Sequence, residues 1–209
     1  MAKKAMKTAA AAAAKKKKLR VVSDFLDFAW DWGTNEWVVL AVEAPIALAA
    51  PAYRKLVSPK PQRVLESVPV RPATKLGVIS YLVPVVQVAG SAWTTIHRVV
   101  GLPIGMADVE DADRIASKLS AELKTRAAVF MGEDTSGAMG VSLFDKGKKG
   151  ASKEWDQELD VADGLFAKLG LTVPACHANE LGKEPVVVAA SADWAARIER
   201  ADLFDFGEE

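Results

Sequence analysis

The sequence is poor in the residues that support thiol chemistry and metal binding. Cys176 is the single cysteine among 209 residues, and the chain has two histidines. One cysteine excludes an intramolecular disulfide, and it excludes any metal site that requires two thiolates from one chain. Such cysteine usage is typical of a reducing compartment, and we therefore expect a cytoplasmic protein.

Long apolar segments are also missing. The longest runs, Trp37–Val42 and Leu82–Ala89, have the length of a β-strand, whereas a membrane helix needs roughly 18 apolar residues. The alanines of Ala9–Ala14 lie between clusters of lysine, which is not the pattern of a signal peptide or of a membrane anchor. The sequence therefore predicts a soluble protein with no transmembrane segment.

The common catalytic signatures are absent as well. The chain has no Walker-type phosphate loop, no glycine fingerprint for dinucleotides, no His-Glu-x-x-His and no Gly-x-Ser-x-Gly. These absences favour a non-enzymatic protein, although they do not exclude an enzyme. No cofactor and no metal ion is expected from the sequence.

Acidic residues are missing from the start of the chain. Residues 1–20 carry seven lysines and one arginine, so the rest of the chain holds 19 basic and 27 acidic residues, a net charge of −8. The low-complexity, Lys/Ala-rich composition predicts a disordered arm over residues 1–22, because it offers almost no apolar surface to bury. Residues 23–209 are predicted to form a single α+β globular domain.

The basic arm suggests a nucleic-acid partner. Clustered cations neutralise phosphates without reading the base sequence, and the arm has no aromatic residue for stacking on bases. The residues proposed for this contact are Lys15, Lys16, Lys17, Lys18 and Arg20. A solvated tail without a partner is the alternative interpretation.

The pattern of apolar residues predicts both helices and strands. Two helices stand out: one after Pro45 that reaches Val57, and one after Asp108 with Ala112, Ile115 and Leu119 on one face. We expect a mixed, largely antiparallel sheet with helices packed on one face. Other predicted elements are a helix after Ser23, strands at Trp37–Glu43, Arg63–Val70, Thr172–Ala178, Val186–Ala190 and Asp202–Phe206, a loop at Lys146–Gly150, and helices at Glu154–Leu169 and Asp193–Ala201.

Two hairpins are predicted. Gly90-Ser91 separates two β-rich runs, which indicates a two-residue turn that places Val88 opposite Trp93 and Val86 opposite Thr95. A second hairpin joins Arg126–Met131 to Ala138–Phe144.

The loop of the second hairpin is a candidate site. Its carboxylates and hydroxyls are groups that bind a hard cation, but the same residue types are common in ordinary turns. The residues concerned are Glu133, Asp134, Thr135 and Ser136.

The histidines and the cysteine are candidates for nucleophilic chemistry. Cys176 and His177 are adjacent, so on a strand their side chains point to opposite faces and do not form a dyad. His97 would have to meet Cys176 across the fold to form a thiolate–imidazolium pair. An ordinary histidine within a sheet is the simpler interpretation of His97.

These observations favour a non-enzymatic interaction or binding module with an unidentified protein partner. The first alternative is a nucleic-acid-associated protein that binds through the basic arm. The second alternative is an enzyme with a site near Glu133–Ser136 or His97.

Overall fold

The structure is a computed structural model that describes residues 36–72, 81–100, 109–133, 138–156 and 159–207. These ranges contain eleven strands and four helices. The strands are β1 (Glu36–Val42), β2 (Arg63–Leu65), β3 (Val70–Pro72), β4 (Leu82–Val88), β5 (Thr94–Val100), β6 (Arg126–Glu133), β7 (Ala138–Asp145), β8 (Lys148–Asp156), β9 (Cys176–Leu181), β10 (Glu184–Ala189) and β11 (Ile198–Asp205). The helices are α1 (Ile46–Leu56), α2 (Val109–Leu123), α3 (Leu159–Leu169) and α4 (Ala192–Arg197).

Eight strands form the larger sheet, in the order β2-β11-β4-β5-β1-β6-β7-β8. Every neighbouring pair in it is antiparallel. A smaller sheet has the order β3-β10-β9, and its β3–β10 pair is parallel. The predicted α+β class with a mixed, largely antiparallel sheet is therefore confirmed.

Both faces of the larger sheet are buried, and β1 shows this most clearly. Val38, Leu40 and Val42 point to one face and pack with α1 and α2. We call this the helix-covered face. Its cluster includes the predicted α2 stripe of Ala112, Ile115 and Leu119, all three buried. The alternation follows from the two-residue period of a strand.

The opposite face packs against the smaller sheet and α3. Trp37 and Val39 of β1 lie in this second cluster. Phe130 of β6 meets Phe166 of α3 edge to face, with ring centroids 4.9 Å apart. Helices were predicted on one face only. Helices α1 and α2 pack on that face, whereas α3 packs on the other face through its buried Phe166.

The first hairpin has the predicted register with a different turn. Val86 pairs with Thr95 as expected. The predicted two-residue turn is wrong, because the Ser91 N–H donates to the Val88 carbonyl at 3.0 Å and Gly90 becomes the third residue of that turn, with φ +74°. Val88 and Trp93, predicted to lie opposite each other, are not paired, because β5 begins at Thr94; Val88 pairs on its other edge with Ile198 of β11.

The predicted loop at Lys146–Gly150 is also wrong. Lys146 and Gly147 form a tight turn with φ values of +48° and +86°. Asp145 pairs with Lys148 directly across it. Positive φ at both central residues suits the right-handed twist of a hairpin, so the chain continues into β8. The helix expected from Glu154 accordingly begins at Leu159, in α3.

The strand predicted over Arg63–Val70 is divided between the two sheets. Ser67 has a φ of +54°, which breaks the extended backbone between β2 and β3. The helix predicted over Asp193–Ala201 is shorter than expected, since α4 ends at Arg197 and β11 begins at Ile198. The arm of residues 1–22, the helix after Ser23 and the capping residue Asp108 lie outside the described residues.

Candidate ligand-binding site

A pocket of about 640 Å³ opens between α1 and the β2–β11 edge of the larger sheet. This volume lies in the range of about 300–1,000 Å³ that is typical of small-molecule sites. The pocket is on the helix-covered face. One half of its lining is apolar and comprises Ile46, Ala47, Ala50, Pro51, Val64 and Phe204.

The apolar floor is held in place by the core behind it. Phe204 of β11 is buried and stacks on the ring of Tyr53, with centroids 5.5 Å apart. Tyr53 lies on α1 and is fully buried. Because Phe204 is fixed from behind by this ring contact, the floor is preformed.

Helix α1 forms one wall of the pocket, and its first residue and its interior proline determine the structure of that wall. Its first residue, Ile46, donates its backbone N–H to Gln87 Oε1 at 3.0 Å, which ties the helix to β4. Pro51 lies inside the helix and has no N–H to offer to the carbonyl of Ala47. Both residues line the pocket, so this stretch of wall has a backbone acceptor that lacks the usual α-helical donor.

The charged half of the lining begins at the end of α1. Lys60 Nζ donates to the carbonyls of Arg54 at 3.2 Å and of Lys55 at 2.5 Å. The last carbonyls of a helix lack backbone partners and carry partial negative charge. Lys60 is therefore held over the C-terminal end of α1, and no carboxylate of the described residues neutralises it.

An ion pair on β11 forms the opposite wall. Arg200 donates to Asp202 through Nε at 3.0 Å and through Nη2 at 2.9 Å. Asp202 is 1 % exposed and also accepts the backbone N–H of Ser67 at 2.9 Å. Glu66 accepts a further bond from Arg200 at 3.2 Å. The hydrogen bonds to Asp202 are the main cause that raises the pKa of Arg200.

The charges of the lining do not cancel. Four cations and two carboxylates line the pocket. Arg200 forms ion pairs with both carboxylates, Glu66 and Asp202. Lys55 forms an ion pair with Glu122 at 3.2 Å. Arg54 forms no ion pair with any residue that the structure describes. The pocket thus presents Arg54 and Lys60 as positive groups beside an apolar floor.

His97, one of the predicted candidates, is not part of this pocket. It lies in β5 opposite Val39 of β1 and is 4 % exposed. Its Nε2 lies 3.0 Å from Thr95 Oγ1. Burial lowers the pKa of His97 to about 3, so the ring is neutral at physiological pH. This environment supports the interpretation of His97 as a histidine within a sheet.

Cys176 and His177, in β9, are also buried. Burial raises the pKa of the Cys176 thiol. It also lowers the pKa of His177, against the smaller opposing effect of the Ala178 carbonyl. A thiolate–imidazolium pair would lower the cysteine pKa and raise the histidine pKa. The pKa values of both histidines and of the cysteine are shifted in the opposite direction, which argues against an activated thiol.

The remaining predicted site residues are those of the basic arm and of the β6–β7 loop. Lys15, Lys16, Lys17, Lys18 and Arg20 lie outside the described residues, as do Asp134, Thr135 and Ser136. Glu133 is the last residue of β6. The sites proposed for the arm and for this loop stay predictions.

Metal-binding clusters and membrane-spanning helices are both absent from the described ranges. Among these residues no group of three or more His, Cys, Asp or Glu side chains is placed to hold a metal ion. None of the described helices has the length and apolar character that a membrane crossing requires. Comparisons with protein-family models, with curated proteins and with solved structures gave no match.

Proposed function

We propose that this protein is a non-enzymatic binding module whose pocket between α1, β2 and β11 holds a small ligand. The observation that carries the proposal is the preformed pocket itself. A concave apolar floor with a few fixed polar groups is the usual form of a small-molecule site. Here the buried Tyr53–Phe204 stack and the hydrogen bonds from the half-buried Arg200 to the buried Asp202 fix that form before any ligand arrives.

The lining supports binding rather than catalysis. Its side chains are aliphatic, aromatic or charged, and no His, Cys, Ser, Thr or Tyr is among those that line the described pocket. Asp202 is engaged by Arg200 and by a backbone N–H. A general base needs a lone pair that is free to accept the proton of a substrate, and this carboxylate does not offer one readily.

The proposal is tested by protein-observed NMR with a library of small fragments. We expect the shifted backbone amides of the full-length protein to cluster in α1, β2 and β11. Ala47→Leu is the blocking variant, because Ala47 lines the pocket at an exposed helix position where leucine is well tolerated. This variant should reduce the affinity of the tightest-binding fragment by about tenfold or more, since the leucine side chain fills part of the cavity.

The matched control is Ala167→Leu. Ala167 is an exposed alanine on α3, away from the pocket, so this variant should bind the fragment as the parent protein does. Fragment shifts that avoid α1 and β11, or equal affinity in the Ala47→Leu protein, would contradict the proposal.

A further inference from the structure

We infer that the ligand of this pocket is a small organic anion with an apolar body. The inference rests on the proposed function and adds the chemical class of the ligand. It assigns the apolar body to the floor around Phe204 and Ala50, and it assigns the anionic group to Arg54 and Lys60.

The first argument is the composition of the floor. Ala47, Pro51 and Val64 are exposed or half-buried apolar residues that line the pocket, and the buried Ile46, Ala50 and Phe204 of the helix-covered core lie beside them. They offer an apolar surface that only an apolar group of a ligand can cover without losing hydrogen bonds to water. A ligand that is polar throughout, such as a free phosphate, would leave this surface unused.

The second argument is the sign of the charge. The chain from residue 21 onward has a net charge of −8, yet the pocket lining carries a net charge of +2 from its four cations and two carboxylates. A local positive field on an acidic surface attracts anions to that place in preference to others. The charge of the lining therefore runs against the overall composition of the chain.

The third argument is which charges are available. Glu66 and Asp202 both accept hydrogen bonds from Arg200, so both carboxylates of the lining are already paired with a cation. Lys60 is bonded only to helix carbonyls, and Arg54 has no ion-pair partner among the described residues. A ligand carboxylate can take up these two cations, and the guanidinium of Arg54 is suited to a bidentate contact.

The test uses three compounds that share one apolar body and differ in charge. They are 2-naphthoate, the neutral 2-naphthamide and the cationic 2-naphthylmethylammonium, each titrated into the full-length protein at low salt. We expect naphthoate to bind about fivefold more tightly than the amide, because each solvent-exposed ion pair adds only a modest factor. The ammonium compound should bind most weakly. Added salt should weaken naphthoate binding and leave amide binding unchanged.

Arg54→Gln is the diagnostic variant. It should reduce naphthoate affinity by about threefold, the weight of one exposed ion pair, and leave amide affinity unchanged. Arg71→Gln is the matched control, since Arg71 is an exposed arginine on β3 that does not line the pocket. Melting curves of both variants show whether each is folded.

The outcomes separate the inference from the proposed function. If the amide binds the pocket as tightly as naphthoate, or if Arg54→Gln has no effect, the anionic ligand class is wrong while the binding module stands. If none of the three compounds shifts α1 or β11 amides, the inference is overturned, and the fragment library then decides on the binding module separately.

Discussion

At the scale of single residues, burial separates the titratable side chains into two groups. Arg200 is partly exposed and donates two hydrogen bonds to the Asp202 carboxylate, and these bonds raise the pKa of Arg200. His97, Cys176 and His177 are buried and held neutral, because an apolar interior penalises their charged forms. The first group lines the pocket, and the second group belongs to the packed interior.

The buried His97 makes stability depend on pH. Its pKa is about 3 in the folded protein against an ordinary value of 6.5, so between these values only the unfolded chain takes up the proton. Stability is therefore complete above the unfolded pKa and falls as the pH falls toward 3. We expect His97 to account for a loss of about 2 kcal/mol in the free energy of unfolding between about pH 7 and pH 5.

Urea unfolding of the parent protein and of His97→Gln at the two pH values measures this loss. Glutamine offers an amide nitrogen to Thr95 Oγ1, which lies 3.0 Å from the histidine Nε2, and it does not titrate. His177→Gln is the control, because it removes a different buried histidine and should keep the His97 part of the loss. An equally steep fall in the His97→Gln protein would show that His97 is not responsible.

Single residues also show which features could be predicted from the sequence and which could not. The α2 stripe was predictable because its members are three or four positions apart in the sequence. The pocket was not, because Arg200 meets Glu66 across 134 positions and Asp202 meets Ser67 across 135. No local pattern in the sequence encodes a pairing at that distance. In the sequence, Arg54 and Lys60 resemble ordinary surface cations, and only the fold places them in the same pocket as β11.

At the scale of elements, turns decide where strands begin and end. The β7–β8 turn depends on positive φ at Lys146 as well as at Gly147. Lysine gives no sequence signal for that conformation, so Lys146–Gly150, which includes the start of β8, was predicted as a loop. The β6–β7 hairpin was predictable because both of its strands are rich in apolar residues.

The turn at Gly90 gives a prediction of its own. Gly90 has a φ of +74°, and a Cβ added there would meet nothing within 4 Å. The cost of replacing it is therefore conformational rather than steric. Gly90→Val should lower the free energy of unfolding by about 1–2 kcal/mol, because a β-branched residue disfavours the left-handed region.

Gly90→Asn is the matched variant, since asparagine adopts this region more readily than other residues. We expect its melting temperature to lie between those of the parent protein and Gly90→Val. Equal melting temperatures for the valine variant and the parent protein would exclude the strained turn.

At the scale of the whole molecule, charge is distributed unevenly along the chain. Eight cations precede residue 21, and a net charge of −8 follows. The hypothesis that the arm binds nucleic acid predicts an electrostatic interaction that does not depend on base sequence. With about half of its cations engaged, log K should fall with log salt at a slope of roughly −3 to −4.

A salt titration of fluorescent duplex DNA checks this prediction. Replacing Lys15, Lys16, Lys17 and Lys18 by alanine should flatten the slope and weaken binding equally for all sequences. A matched control replaces Lys146, Lys148, Lys149 and Lys153, four exposed lysines around β8, and should keep the parent slope. Absence of binding at low salt would eliminate the hypothesis, and loss of binding only in the control would move the contact to β8.

The position of β11 has a consequence for synthesis. This strand, residues 198–205, lies between β2 and β4 and is the only described partner of β2. A ribosome delivers residues 63–88 long before it delivers β11, so the sheet stays incomplete until translation has passed residue 205. During that interval we expect the β4 backbone to be an open edge that can pair with other chains. Completion of the larger sheet is therefore a late event, set by the insertion of a strand rather than by the closing of a neighbouring hairpin.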